Sequence, residues 1–207
     1  MFDTEADLIN GLARRQDDAF RHAIKRYQTS MRYLARSIAG EKIADEVVQE
    51  AWVSAMKAID RFEGRSSLKT WLMRIVANEA KTRLRKESRH VSLEAMYPDD
   101  PDLSNRFDDA EHWRRGSEPA AWAEDSPEAL LSSGEMAACM ERAMSQLPEM
   151  QSATLRLREH QGYSLGEICN ILEVSESNVR VLLHRARSKV FTTVEHFQTT
   201  GECLADL

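Results

Sequence analysis

No apolar run in this chain approaches the roughly 18–20 residues needed to span a bilayer. Cysteine, proline and glycine are sparse, at three, five and eight among 207 residues. The missing apolar run predicts no direct membrane insertion. The N-terminal segment MFDTEADLINGLARRQ lacks a basic head and an apolar core, which predicts no secretory leader. Three widely spaced cysteines, Cys139, Cys169 and Cys203, cannot all pair and predict reduced thiols in a cytoplasmic protein. Catalytic signatures are missing too: there is no Walker A loop, no GxSxG, no HExxH and no CxxC. His196 and Cys203, seven residues apart, are too few for a zinc site. The expectation is a protein without enzymatic activity, metal or cofactor.

What is present is charge, unevenly placed. The chain is 42% hydrophobic and 30% charged, with a formal net charge of -6. That composition supports packed cores and excludes wholesale disorder. From Arg61 to His90 nine Lys/Arg face three Glu; from Val91 to Glu128 three Arg face eleven Asp/Glu. An acidic total therefore conceals a basic segment able to meet nucleic acid.

The hydrophobic pattern is helical throughout and predicts an all-α protein. Leu8, Leu12, Phe20, Ile24 and Tyr27 recur near helical spacing, with a turn at Gly40. Ile43, Val47, Val48, Ala51, Trp52, Ala55, Met56, Ile59 and Phe62 form one stripe, opposite Asp45, Glu46, Gln49 and Glu50. After Gly64 a second stripe follows: Leu68, Trp71, Leu72, Ile75, Val76 and Ala80. Lys69, Arg74, Lys81, Arg85 and Lys86 lie mostly off it, and Trp71 reads as core rather than as a base-stacking platform. Periodicity fades from about Val91 to Asp125, where Pro98, Pro101 and Pro119 fall. Two small helical domains joined by a flexible acidic linker result: residues 1–90, a linker at 91–125, a second domain at 126–198, and a tail at 199–207.

The second domain carries the clearest motif. Ser126-Pro127-Glu128 is a helix start, Leu147-Pro148 separates two helices, and His160 reads as a cap near the end of the second. Ser164-Leu165-Gly166-Glu167 is a capping box opening a short helix, and Glu173-Val174-Ser175 makes a turn into a longer basic helix. Two helices around a short turn, the second basic, form a helix-turn-helix, whose second helix enters the major groove. Ser175, Glu176, Ser177, Asn178, Arg180 and Val181 then lie nearest the base edges, where Asn pairs with adenine and Arg with guanine. His184, Arg185, Arg187 and Lys189 lie further along, toward phosphate. In the first domain, a polar loop, Glu63-Gly64-Arg65-Ser66-Ser67, followed by a cationic helix suits single-stranded nucleic acid and an extruded base.

Two blocks together resemble the extracytoplasmic-function (ECF) sigma factors, promoter-specificity subunits of bacterial RNA polymerase. ADEVVQEAWVSAMKAIDRFEGRSSLKTWLMRIVANEAKTRLRK is similar to the family's DAEDLVQETF…FxGxSxFxTWLxRIAxNxAxDxxR pattern. LPEMQSATLRLREHQGYSLGEICNILEVSESNVRVLLHRARSKV is similar to LPxxxRxxxxLRxxEGxSxxEIAxxLGxSxGTVKSRLxRAR. The resemblance implies a region 2 domain and a region 4 domain. It implies that Asp45, Glu46, Gln49 and Glu50 dock on core polymerase. It implies that Arg65, Ser66, Ser67, Leu68 and Lys69 receive a base of the melted -10 element, with Asn78, Lys81 and Arg85 on the helix beside it. It makes the second block the reader of the -35 element and the linker a placeholder in the RNA exit path. It also implies an anti-sigma factor as partner, and a cytoplasmic protein that joins the nucleoid as holoenzyme. Ser177-Asn178 stands where Gly-Thr is common, and Val181-Leu182 where Ser-Arg is common. The alternative reading is a free-standing helix-turn-helix regulator acting without polymerase docking.

Overall fold

The computed structural model describes Phe2, residues 4–87 and residues 127–206; the acidic linker expected at 91–125 and the cap at Ser126 lie outside the described residues. Eight α-helices are described: α1 (Glu5–Ala13), α2 (Asp17–Ala39), α3 (Glu41–Ala58), α4 (Leu68–Glu87), α5 (Pro127–Ser145), α6 (Glu149–Leu155), α7 (Leu165–Leu172) and α8 (Glu176–Thr200). There is no strand among the described residues. Those within Met1–Ser92 and Arg156–Val179 form one compact unit, and those within Leu93–Leu155 and Arg180–Leu207 the other.

The first unit is built on α2, α3 and α4. Helix α2 buries Ala19, Ala23, Tyr27, Met31, Leu34, Ala35 and Ile38, steps of three and four that keep one face inward. Helix α3 buries Ala44, Val47, Val48, Ala51, Trp52 and Ala55. Gly40, at φ 83°, turns the chain between them, a backbone position that favours glycine. Gly11 lets α1 lie close: a Cβ there would sit 2.8 Å from the Ala19 Cβ. Thr4 and Asp7 cap α1 reciprocally.

Helix α4 completes the core, and here the expected stripe shifts. Leu68, Leu72 and Val76 are buried as the periodicity predicts, but so are Met73 and Ala77. Trp71 is half-buried, its ring 5.2 Å from that of Phe62. Ser67 caps the helix, its Oγ accepting from the Thr70 N–H at 3.1 Å. Helix α4 is thus buried along more than one narrow stripe.

After α6 the chain makes a π-helical turn, Arg156–His160. The expected cap at His160 takes another role: its Nδ1 lies 3.1 Å from the Tyr33 hydroxyl. The capping box at the start of α7 is present, with Ser164 Oγ accepting from Glu167 N–H and the Glu167 carboxylate accepting from Ser164 N–H at 3.0 Å. Ile168, Ile171 and Leu172 are its buried side.

In the second unit the expectation of three reduced thiols is corrected. Cys139 on α5 and Cys203 beyond α8 form a disulfide, Cα to Cα 5.6 Å apart, with Phe197 in the same buried cluster. Gln146 Nε2 donates to the Ala205 carbonyl at 2.6 Å, holding the tail on the end of α5. The two cysteines are 64 positions apart, and spacing in sequence carries no information about a tail that folds back on a distant helix. Cys169 is the free thiol.

Leu72 is 1% exposed on α4. Leu72→Ala removes its contacts and leaves a cavity, at a cost of about 2–5 kcal/mol. Urea unfolding followed by circular dichroism should show the midpoint fall at unchanged slope.

Candidate nucleic-acid interface

Asp45, Glu46, Gln49 and Glu50 all lie on one exposed face of α3. They are held there because the opposite side of the helix is buried. Arg32 meets Asp45 at 2.9 Å, and Arg83 meets Glu46 at 2.5 Å and Glu50 at 3.5 Å. Exposed ion pairs of this kind contribute about 0–1 kcal/mol each. They can be exchanged for a cationic partner at little cost.

The loop before α4 presents Arg65, which is 85% exposed in its side chain and pairs with Glu63. Ser66 is half-buried and Ser67 exposed, though the Ser67 hydroxyl is used as the cap. Leu68 departs from the expectation. It is fully buried, and its backbone N–H donates to Glu5 Oε1 at 2.6 Å, so its side chain serves the core and is unavailable to a base. A leucine at the first position of a helix packed on a bundle turns inward by the same periodicity that buries Leu72.

The polar side of α4 is occupied. Within the first unit, Lys69 Nζ lies over the Tyr163 ring, 4.8 Å from its centroid. Thr70 Oγ1 donates to Glu167 at 3.3 Å. Arg74 meets the Glu173 carboxylate at 2.7 Å, and the Asn78 amide reaches the same oxygen at 3.5 Å. Lys81 Nζ donates to the Leu172 carbonyl. Arg85 is exposed. Burial pushes the Lys81 ammonium below its ordinary value, with the Glu173 carboxylate working against that shift and Arg85 adding to it. The hydrogen bond from Arg74 holds the Glu173 carboxyl below the usual carboxylate range, with burial opposing it.

Arg74 and Glu173 were not among the expected site residues. The signal for Arg74 was available: it sits four residues before Asn78 on the same helix face. The signal for Glu173 was a charged residue closing α7 at a position where glycine fits best.

On α8, Ser177, Arg180, Val181 and His184 follow a spacing of three, one and three, which places them on one side of the helix. Ser177, Asn178, Arg180 and Val181 are exposed, while His184, Arg185 and Arg187 are half-buried. Ser175 is exposed and also caps α8, its Oγ accepting from the Asn178 N–H at 3.3 Å. Among the described residues no group of three or more His, Cys, Asp or Glu could hold a metal, and Cys203 is committed to the disulfide. No described helix is long and apolar enough to cross a membrane.

A helix-turn-helix together with a separate helix carrying a row of cationic and amide side chains is the arrangement of a nucleic-acid-binding protein. Comparison with known proteins narrows the class. Residues 23–90 match Sigma-70 region 2, and residues 137–190 match Sigma-70 region 4. The chain is 30% identical over 192 residues to the ECF RNA polymerase sigma-E factor of Escherichia coli, covering 93% of this chain and 95% of that one. It is 29% identical over 187 residues to the RNA polymerase sigma-H factor of Pseudomonas aeruginosa, covering 90% and 91%. Among solved structures, the sigma factor RpoE in complex with the anti-sigma factor NepR from Bartonella quintana matches with a TM-score of 0.55 at 19% identity, over 88% of this chain and 98% of that one. CnrH in complex with the cytosolic domain of CnrY matches at 0.53 and 21% identity, over 89% and 93%. The chain belongs to the ECF family of RNA polymerase sigma factors. It binds core RNA polymerase and promoter DNA and directs promoter-specific transcription initiation.

The carboxyls of Glu167 and Glu173 both titrate below their ordinary value, that of Glu167 chiefly through the Ser164 backbone hydrogen bond. Their stabilising contribution is full above the unfolded carboxylate pKa and is lost as pH falls through the folded one. Glu167→Gln should flatten the acid limb of stability against pH in urea melts; an unaltered limb would show that the capping box carries none of it.

Proposed function

We propose a division of labour among the three faces. The α3 face of Asp45, Glu46, Gln49 and Glu50 docks on core polymerase. Arg65, Ser66, Ser67 and Lys69, with Asn78, Lys81 and Arg85 on α4, hold the melted -10 strand, and Arg74 joins them. Ser177, Asn178, Arg180 and Val181 read the -35 duplex, with His184, Arg185 and Arg187 toward its phosphates. The observation that carries this reading is that one compact bundle carries an exposed acidic face on α3 and, on α4, a row of polar and cationic side chains that meets the ring, carboxylate and carbonyl of the segment around α7. Each reader is weak alone, and polymerase supplies the fixed spacing that makes the pair effective.

The protein acts as a specificity subunit and not as an enzyme, and works in the cytoplasm. An anti-sigma factor is the expected regulator; the two similar solved structures are complexes with another protein, one of them named an anti-sigma factor. The free-standing regulator reading is disfavoured because the similarity to sigma factors runs through both domains rather than the helix-turn-helix alone.

Changing Gln49 and Glu50 together to Ala should weaken core binding about tenfold or more, with the helical circular dichroism unchanged; unaltered affinity would remove the docking role of that face. Arg180→Ala should lower binding of holoenzyme to -35 sequences, by about 1–3 kcal/mol if it pairs bidentately with guanine. An effect confined to strand opening would place the reader elsewhere.

A further inference from the structure

We propose that Glu173 is a built-in stand-in for a nucleic-acid phosphate, lying on the Arg74 and Asn78 side chains of α4 and displaced when α4 takes up a single strand. The inference rests on the reading of α4 as the strand-holding helix and adds to it a competitor within the chain.

The backbone gives the first reason. Glu173 closes α7 in the left-handed conformation, φ 56° and ψ 46°. Glycine adopts that conformation freely and side-chain-bearing residues do so with strain. A strained residue persists where its surroundings fix it, and such residues concentrate at functional and switching positions. What fixes Glu173 is α4. Its Oε1 receives Arg74 Nε at 2.9 Å and Nη2 at 2.7 Å, and Asn78 Nδ2 at 3.5 Å.

The chemistry gives the second. Guanidinium and amide donors that grip a carboxylate are the donors that grip phosphate oxygens. The group beside the carboxylate has the same sign. Lys81 Nζ donates to the carbonyl of Leu172, the last residue of α7, where the unsatisfied carbonyls of a helix end carry partial negative charge. The C-terminal end of α7 therefore sets a carboxylate and a carbonyl against three side chains spaced four and three residues apart on α4. That matches the sign and the donor demand of a strand backbone. Glu173 and Arg74 are 44% and 54% exposed in their side chains, so the pair is weak enough to yield to a polyanion.

The contact involves the first helix of the helix-turn-helix. Whatever draws α7 away from α4 uncovers the strand face, and whatever fills the strand face releases α7. The free chain is thereby held poor at binding single strands.

The test uses the full chain and a fluorescein-labelled single-stranded oligonucleotide of randomised sequence, read by anisotropy. Glu173→Gly removes the carboxylate and relieves the backbone, so loss of folding does not obscure it. Glu173→Gln keeps the size and the strain and removes the charge. Both should tighten binding about three- to fivefold, the scale of one exposed ion pair released. Loss of one negative charge anywhere near the strand could do the same at long range, so the cycle is completed with Arg74→Ala. In that background Glu173→Gly should gain little, whereas an undiminished gain would overturn the proposal. Unchanged affinity in both Glu173 variants would also overturn it. Lys81→Ala in the Glu173→Gly background checks the underlying reading separately. If the gained affinity survives there, Glu173 shields some surface other than α4, and the assignment of the strand face fails with it.

Discussion

Helix α4 has to satisfy two neighbours of opposite character, and the first unit is arranged around that demand. Its apolar residues, from Leu68 through Leu72, Met73, Val76, Ala77 and Ala80, are buried against the bundle. Its Lys69, Arg74, Asn78 and Lys81 are directed to the aromatic ring, carboxylate and carbonyl of the segment around α7. Because the apolar contacts fix the helix in rotation, the polar row is fixed in turn. A helix that could roll would present its cations to water in many orientations; this one presents them in one. Rigidity supplied by burial is what makes weak, exposed polar contacts usable for recognition.

The same logic governs α3. Ala44, Val47, Val48, Ala51, Trp52 and Ala55 turn inward, and the acidic residues between them are left outside as a contiguous face. Nothing in the charges alone distinguishes a docking surface from a solvated one. Membership of the ECF family shows that the chain binds core polymerase, and that is what supports the docking role proposed for this face.

Much of this was legible in the sequence. The periodicity of α2 and α3, the break at Gly40, the helix after Leu147-Pro148 and the Ser164–Glu167 capping box all follow from local rules that tertiary packing did not override. The placement of the candidate residues was legible where exposure follows helix spacing, as at Asp45, Glu46, Gln49 and Glu50 or at Ser177, Arg180 and Val181 on α8. It was less so where a polar atom had a choice of partner: Ser67 and Ser175 cap helices and His160 turns to Tyr33. Leu68, placed with the polar loop by the resemblance, belongs to the core. Long-range pairings were hidden altogether. The Cys139–Cys203 bond and the Arg74–Glu173 contact join residues 64 and 99 positions apart, and no periodicity reports on such distances.

The central claim is that the polar row of α4 holds the opened promoter strand in holoenzyme. Permanganate probing of unpaired thymines tests it most directly. Core polymerase carrying the wild-type chain or Asn78→Ala/Lys81→Ala is placed on genomic promoter fragments that the wild-type holoenzyme selects. The account predicts that the double variant still binds core and the upstream duplex but loses reactivity in the -10 region. Full reactivity at equal occupancy would contradict it.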